Sequence, residues 1–133
     1  MTTKTQTEKR GSDVKTRLTD HTLACFNIAV HLIRSPHASH RGGCFISSDL
    51  AETAKNALLR HAEAEGSPSA KEFADKFRLA LVQLRLNRTI LDLIYNGKMS
   101  SDPTAVASAL EDVDILIRIF FSSIRTLENR AAA

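Results

Sequence analysis

The stretch from Ser67 to Asn96 carries two apolar stripes on what its periodicity predicts to be one long helix. At about 100° per residue, Phe73, Phe77, Ala80, Leu84, Leu91 and Ile94 fall on one line. Leu79, Val82, Leu86, Ile90 and Leu93 fall on a second, about 140° away around the axis. A helix that only closes its own core needs one such stripe. A second needs a second apolar partner, and in a chain of 133 residues the simplest one is another copy of the same chain. Leu79, Val82, Leu86, Ile90 and Leu93 are therefore the predicted oligomer interface. Between the stripes runs a polar line, Lys71, Asp75, Arg78, Arg85, Thr89, Asp92 and Asn96, which makes the outer edge mostly basic.

Three further helices follow from the same kind of signal. The first is expected from Asp13 or Thr19 to Arg34, with Leu23, Phe26, Val30 and Ile33 stepping 3, 4 and 3, Thr19 or Asp20 as cap and Pro36 ending it. Ser35 to Gly43 reads as a loop. The second helix is expected from Ser48 or Asp49 to Gly66, with a small-residue face of Leu50, Ala54, Ala57, Leu58 and Ala62. Ser67 caps the third, with Pro68 at its first position and Gly97 as a left-handed terminator. Ser101-Asp102-Pro103 opens the fourth, where Val106, Leu110, Val113, Ile117, Phe120, Ile124 and Leu127 form a heptad seam, with Leu116, Ile119 and Phe121 off it. No strand-like alternation and no internal repeat interrupt this pattern. The expected fold is all-α, an up-down antiparallel four-helix bundle over residues 13–129, with 130–133 frayed.

Composition narrows the class further. At 43% hydrophobic and 25% charged, the chain suits one domain with a real core. No apolar run reaches the about 18 residues of a membrane span, and the N-terminus has no secretory pattern, so a cytoplasmic protein without a membrane partner is expected. Cys25 and Cys44 lack CxxC spacing and read as reduced thiols. Residues 1–17 hold Lys4, Lys9, Arg10, Lys15 and Arg17 against Glu8 and Asp13, which accounts for the whole net charge of +3. Residues 1–12 read as a disordered basic arm able to reach phosphates, or simply to keep the chain in solution.

Catalytic patterns are missing from the sequence. It has no paired Glu-x-x-His motif for a di-iron bundle, no phosphate-cradling glycine loop and no nucleophile elbow. His31, His37, His40 and Cys44 are the nearest approach to a metal set but lack paired ligands, and His61 with Glu63 and Glu65 reads as solvated charge at a helix end. The expectation is therefore no enzyme, no cofactor and no metal, with binding as the remaining function. Lys9, Arg10, Lys15, Arg17, Lys71, Arg78, Arg85 and Arg88 are the candidate nucleic-acid contacts, joined on the fourth helix by Arg118 and Arg125. Arg88 lies toward the first apolar stripe, where it either pairs with Glu111, Asp112 or Asp114 or extends outward. The plainer meaning of such charges is a solvated face. Few aromatics are placed to stack on bases, which argues against base-specific reading of single strands.

Ala64-Glu65-Gly66, Ser69-Ala70-Lys71-Glu72-Phe73, and Arg78-Leu79-Ala80-Leu81 with Leu84 resemble small bacterial four-helix-bundle proteins. One branch is encoded in ribosomal-RNA intervening sequences; another is the accessory variability determinant of diversity-generating retroelements. Leu84-Arg85-Leu86-Asn87-Arg88, and Leu110-Glu111-Asp112-Val113 through Ile124-Arg125, resemble the second branch. The first branch usually has Asn-Ile before Ala-Glu-Gly, where this chain has Ala62-Glu63, and acidic residues where Leu86 and Arg88 stand. The likeness spans residues 45–127 and rests mostly on packing and loop positions. It implies a ring-shaped homopentamer, not an enzyme, that binds RNA, complementary DNA and a reverse transcriptase, with Arg78, Arg85 and Arg88 in contact. The alternatives are a ribosomal-RNA-associated bundle protein of the first branch and a purely protein-binding helical adaptor.

Overall fold

In a computed structural model the described backbone covers residues 3–34 and 41–132, and the described side chains are those of 13–33 and 45–130. Within these residues the chain is four helices and no strand: α1 Thr3–Arg34, α2 Arg41–Glu65, α3 Ala70–Asn96 and α4 Pro103–Ala132. Each helix packs on its neighbours in sequence and α1 also on α4, whereas the backbones of the diagonal pairs do not approach each other. This is an all-α arrangement compatible with a four-helix bundle.

The helix ends show which local signals acted. Asp102 caps α4 as expected: its carboxylate accepts from the Ala105 N–H at 3.2 Å, and Pro103 takes the first helical position, where its missing donor costs nothing. For α3 the cap is Ser69 rather than Ser67, with the Ser69 hydroxyl accepting from the Glu72 N–H at 3.2 Å. Ser69-Ala70-Lys71-Glu72 has the serine-to-glutamate spacing of a capping box, the stronger signal of the two. At the other end Gly97 stays right-handed at φ −80°, and Lys98 takes the left-handed position at φ 52°. The Met99 N–H bonds the Ile94 carbonyl at 3.0 Å, closing the last turn in a Schellman arrangement. Glycine is needed at 97 for space: a Cβ there would lie 2.8 Å from the Leu93 carbonyl oxygen.

Two expected starts move. Thr19 lies inside α1, where its hydroxyl donates to the Lys15 carbonyl at 2.8 Å, so neither it nor Asp20 caps a helix. α2 begins at Arg41, within the expected loop, and Ser48 and Asp49 lie inside it. The backbones of α1 and α4 run through the stretches read as arm and frayed end, to Thr3 and Ala132; the side chains of residues 1–12 lie outside the described ones.

The core is built from Leu18, Ile28 and Leu32 of α1, Leu50, Ala54 and Ala57 of α2, the first α3 stripe, and Val106, Val113, Leu116 and Phe120 of α4. The α3 and α4 seams are as expected, except that Leu116 is buried and Leu110, Ile117 and Leu127 are half-buried. On α2, Ala62 is exposed, and His61 and Ala64 face inward instead. The α1 expectation is reversed. Leu23, Phe26, Val30 and Ile33 are exposed, Leu23 and Ile33 at 54% and 58%, while Leu18, Cys25, Ile28, Ala29 and Leu32 point into the core. α1 has two apolar arcs, and the slimmer one, with Cys25 and Ala29, joins the core that also holds the small residues Ala54 and Ala57 of α2.

Candidate functional site

The predicted second stripe of α3 lies on the outside of the chain. Leu79, Val82, Leu86 and Leu93 are between 44% and 57% exposed, and Ile90 is half-buried. α1 adds the exposed row Leu23, Phe26, Val30 and Ile33. The backbones of α1 and α3 lie diagonally opposite each other among the four helices, so the two rows are separate apolar faces. Scattered exposed apolar residues are normal on a protein surface, whereas two rows at helical spacing are the pattern of unpartnered interfaces.

The candidate cations divide into two groups. Arg78 is paired with Asp75 at 2.7 Å and with Glu128 of α4. Arg88 is paired with Asp114 of α4 at 2.5 Å and with Asp92 at 3.0 Å, which resolves its two expected placements toward pairing. Arg17 pairs with Asp13 at 3.4 Å. Lys15, Lys71 and Arg85 are exposed and, among the described residues, have no carboxylate partner, as is also true of Arg125. Arg118 bonds only the Asp114 carbonyl of its own helix, at 3.3 Å. Lys9 and Arg10 lie outside the described side chains. The expected cluster Arg78, Arg85 and Arg88 is thus one open guanidinium between two that hold α3 to α4.

At the centre of the core lies a polar network that the sequence reading passed over. Asn87 is fully buried on the inner stripe of α3. Its amide nitrogen donates to Thr53 Oγ1 at 3.1 Å and to the Leu50 carbonyl at 3.3 Å. A carbonyl only accepts, so the amide oxygen must face the other way, toward His21 Nε2 at 2.7 Å. His21 therefore carries its proton on Nε2, and its buried Nδ1 has no partner. Burial lowers the His21 pKa against the Asn87 bond and the charge of Asp112, so the imidazole is neutral. Cys25 lies 3.5 Å from the same ring nitrogen, and burial pushes its thiol up to about 12, far from a reactive thiolate. The available signal was spacing: His21 stands three residues after Leu18 and four before Cys25, and Asn87 three after Leu84 and four before Leu91.

His61 is also inside rather than solvated. It is 5% exposed, its ring tilted against Phe77 and edge-on to Phe120, with Nδ1 3.1 Å from Glu65 Oε1. Burial lowers its pKa, while Glu65 acts in the other direction. Glu63 is exposed between Lys76 and Arg60, which hold its carboxyl below the ordinary range. No group of three or more metal-ligating side chains occurs among the described residues, where His31 is exposed; His37, His40 and the Cys44 side chain lie outside them. No helix among the described residues is long and apolar enough to cross a membrane. No protein-family model, curated protein or solved structure matches the chain.

Proposed function

We propose that the chain is the subunit of a ring-shaped homo-oligomer that holds nucleic acid beside a reverse transcriptase and performs no catalysis of its own. The observation that carries the assembly is the pair of exposed apolar rows on α1 and α3. Two different faces on one subunit give head-to-tail contacts, which close into a ring when the rotation allows it. An up-down antiparallel course belongs to this reading. It is supported by the cross-helix pairs, in which Arg78 meets Glu128 and the later Arg88 meets the earlier Asp114. The nucleic-acid surface is the line of open cations Lys71 and Arg85, repeated in every subunit, with Lys15 and the N-terminal basic residues adding to the field. The pentameric number, the reverse transcriptase, the cytoplasmic setting and the choice of RNA with its complementary DNA rest on the family resemblance.

Two measurements test this. Light scattering of the native protein should give a multiple of the 14.6 kDa chain, and Leu86→Asp should give a smaller species that is still helical. A monomeric parent overturns the assembly. Lys71→Glu with Arg85→Glu should weaken binding to a structured RNA and flatten its salt dependence while leaving the particle mass unchanged. If the parent binds no RNA even at low salt, the nucleic-acid part fails, and the purely protein-binding adaptor takes its place.

A further inference from the structure

All four helices contribute to an open cavity of about 500 Å³ at the end of the structure where α2 stops and α3 begins. Its apolar wall is aromatic. Phe73 and Phe77 line it, tilted against each other with ring centres 4.6 Å apart, and Phe120, fully buried, backs Phe77 from behind at 4.6 Å. The space exists because α4 changes character there. Between Phe120 and Leu127 it places Ser122, Ser123 and Thr126 against the cavity, and the half-buried Ser123 stands one heptad after the buried Leu116. Because the cavity is open, it leaves part of the Phe73 ring facing solvent, which folding alone does not favour. The volume falls in the range of about 300–1,000 Å³ typical of small-molecule sites.

The polar groups at the cavity are asymmetric. Glu65 is engaged by His61. Arg130, on the α4 side, has no ion-pair or hydrogen-bond partner among the described residues. The guanidiniums of Arg60, Arg78 and Arg88 are on carboxylates, whereas Arg130 is open and is the one arginine among the cavity's lining residues. A guanidinium offers a planar pair of donors that matches one carboxylate. We infer that this cavity binds a small aromatic carboxylate, its ring packed against the half-buried Phe73 beside Phe77 and its carboxylate held by Arg130. Ser123 lines the same cavity and offers a hydroxyl as a further donor. The site is distinct from the outer rows of α1 and α3 and does not depend on assembly.

The test uses the full chain titrated by calorimetry with 2-naphthoate and with its neutral analogue 2-naphthamide. Saturable binding of 2-naphthoate is expected, abolished for both compounds by Ser123→Phe, which fills the void. Arg130→Gln should weaken 2-naphthoate about tenfold and leave 2-naphthamide unchanged, the size of one lost charge-assisted contact. The inference is overturned if 2-naphthoate does not saturate, if Ser123→Phe binds as the parent does, or if Arg130→Gln affects both compounds equally. Should Ser123→Phe fail to fold, the parent still decides by magnetic resonance. The ring signals of Phe73 and Phe77 must shift on titration while that of the exposed Phe26 stays, and the reverse overturns the assignment.

Discussion

The buried pair His21 and Asn87 gives the sharpest quantitative test of how this core is held. Asn87→Ala removes the strong acceptor of the His21 Nε2 proton and leaves it only the weak Cys25 Sγ at 3.5 Å, while Nδ1 already lacks a partner. That costs about 1–3 kcal/mol, and the small void left by the carboxamide adds about 1 kcal/mol. Thr53 and the Leu50 carbonyl lose less, because Thr53 still donates to the Asp49 carbonyl at 2.8 Å and Leu50 lies within the α2 helix. The single variant should thus lose about 2–4 kcal/mol. His21→Leu should lose about 1–3 kcal/mol by leaving the Asn87 amide oxygen bare. The double variant removes both polar groups at nearly constant total volume and should lose about 1 kcal/mol or less. Urea unfolding followed by circular dichroism, at one fixed protein concentration because association shifts the midpoint, measures all three. If the double variant loses the sum of the two singles, the two side chains are not coupled and the network described above is not what holds them.

Two further expectations follow from the same coordinates. Gly97→Ala should destabilise by about 1 kcal/mol because its Cβ meets the Leu93 carbonyl at 2.8 Å, whereas Lys98→Gly should stabilise by about 1 kcal/mol by relieving φ 52°; equal signs in thermal unfolding would refute the assignment of roles at this helix end. His21 and His61 both have lowered folded-state pKa values, so the unfolded chain binds more protons below its own value of 6.5. Stability is therefore full above that pH and falls as pH drops through it, by up to about 1.4 kcal/mol per pH unit from His21, and an unfolding midpoint that is flat between about pH 8 and pH 5 contradicts this.

The parts of the fold legible in the sequence are those where one signal had no rival. Asp102-Pro103 could only be a helix start, and the line from Phe73 to Ile94 could only be an inner face once a polar line beside it was assigned outward. Where two signals competed, periodicity could not choose. α1 carries Leu23, Phe26, Val30 and Ile33 on one arc and Leu18, Cys25, Ile28, Ala29 and Leu32 on another, and the bulkier row is on the outside. What decides is the shape of α2 opposite, a property of the pair of helices and not of either alone. The cations show a related limit. Arg78 looks open along α3, and only the neighbouring α4 brings Glu128 to it; for Arg88 the sequence allowed pairing or outward extension, and α4 decides it with Asp114. The cavity beside Phe77 has no one-dimensional signature, since it needs all four helices.

The polar network and the outer rows are connected through geometry. α1 and α3 share no backbone contact, yet the His21 to Asn87 hydrogen bond joins them across the middle of the core. The same amide reaches Thr53 and Leu50 of α2, so three helices meet at one side chain. Apolar contacts alone hold helices at a distance but tolerate sliding by a turn, because Leu, Ile and Ala surfaces repeat along the axis. A directional bond tolerates no such slip without leaving a buried donor bare, at a cost of about 1–3 kcal/mol. Leu86 is the immediate neighbour of Asn87, and Leu23 lies two residues from His21. Fixing the height of His21 against Asn87 therefore fixes the height of one exposed row against the other. A chain that offers two faces to successive copies needs that relation to be the same in every copy, and an all-apolar core of equal stability would leave it free to vary.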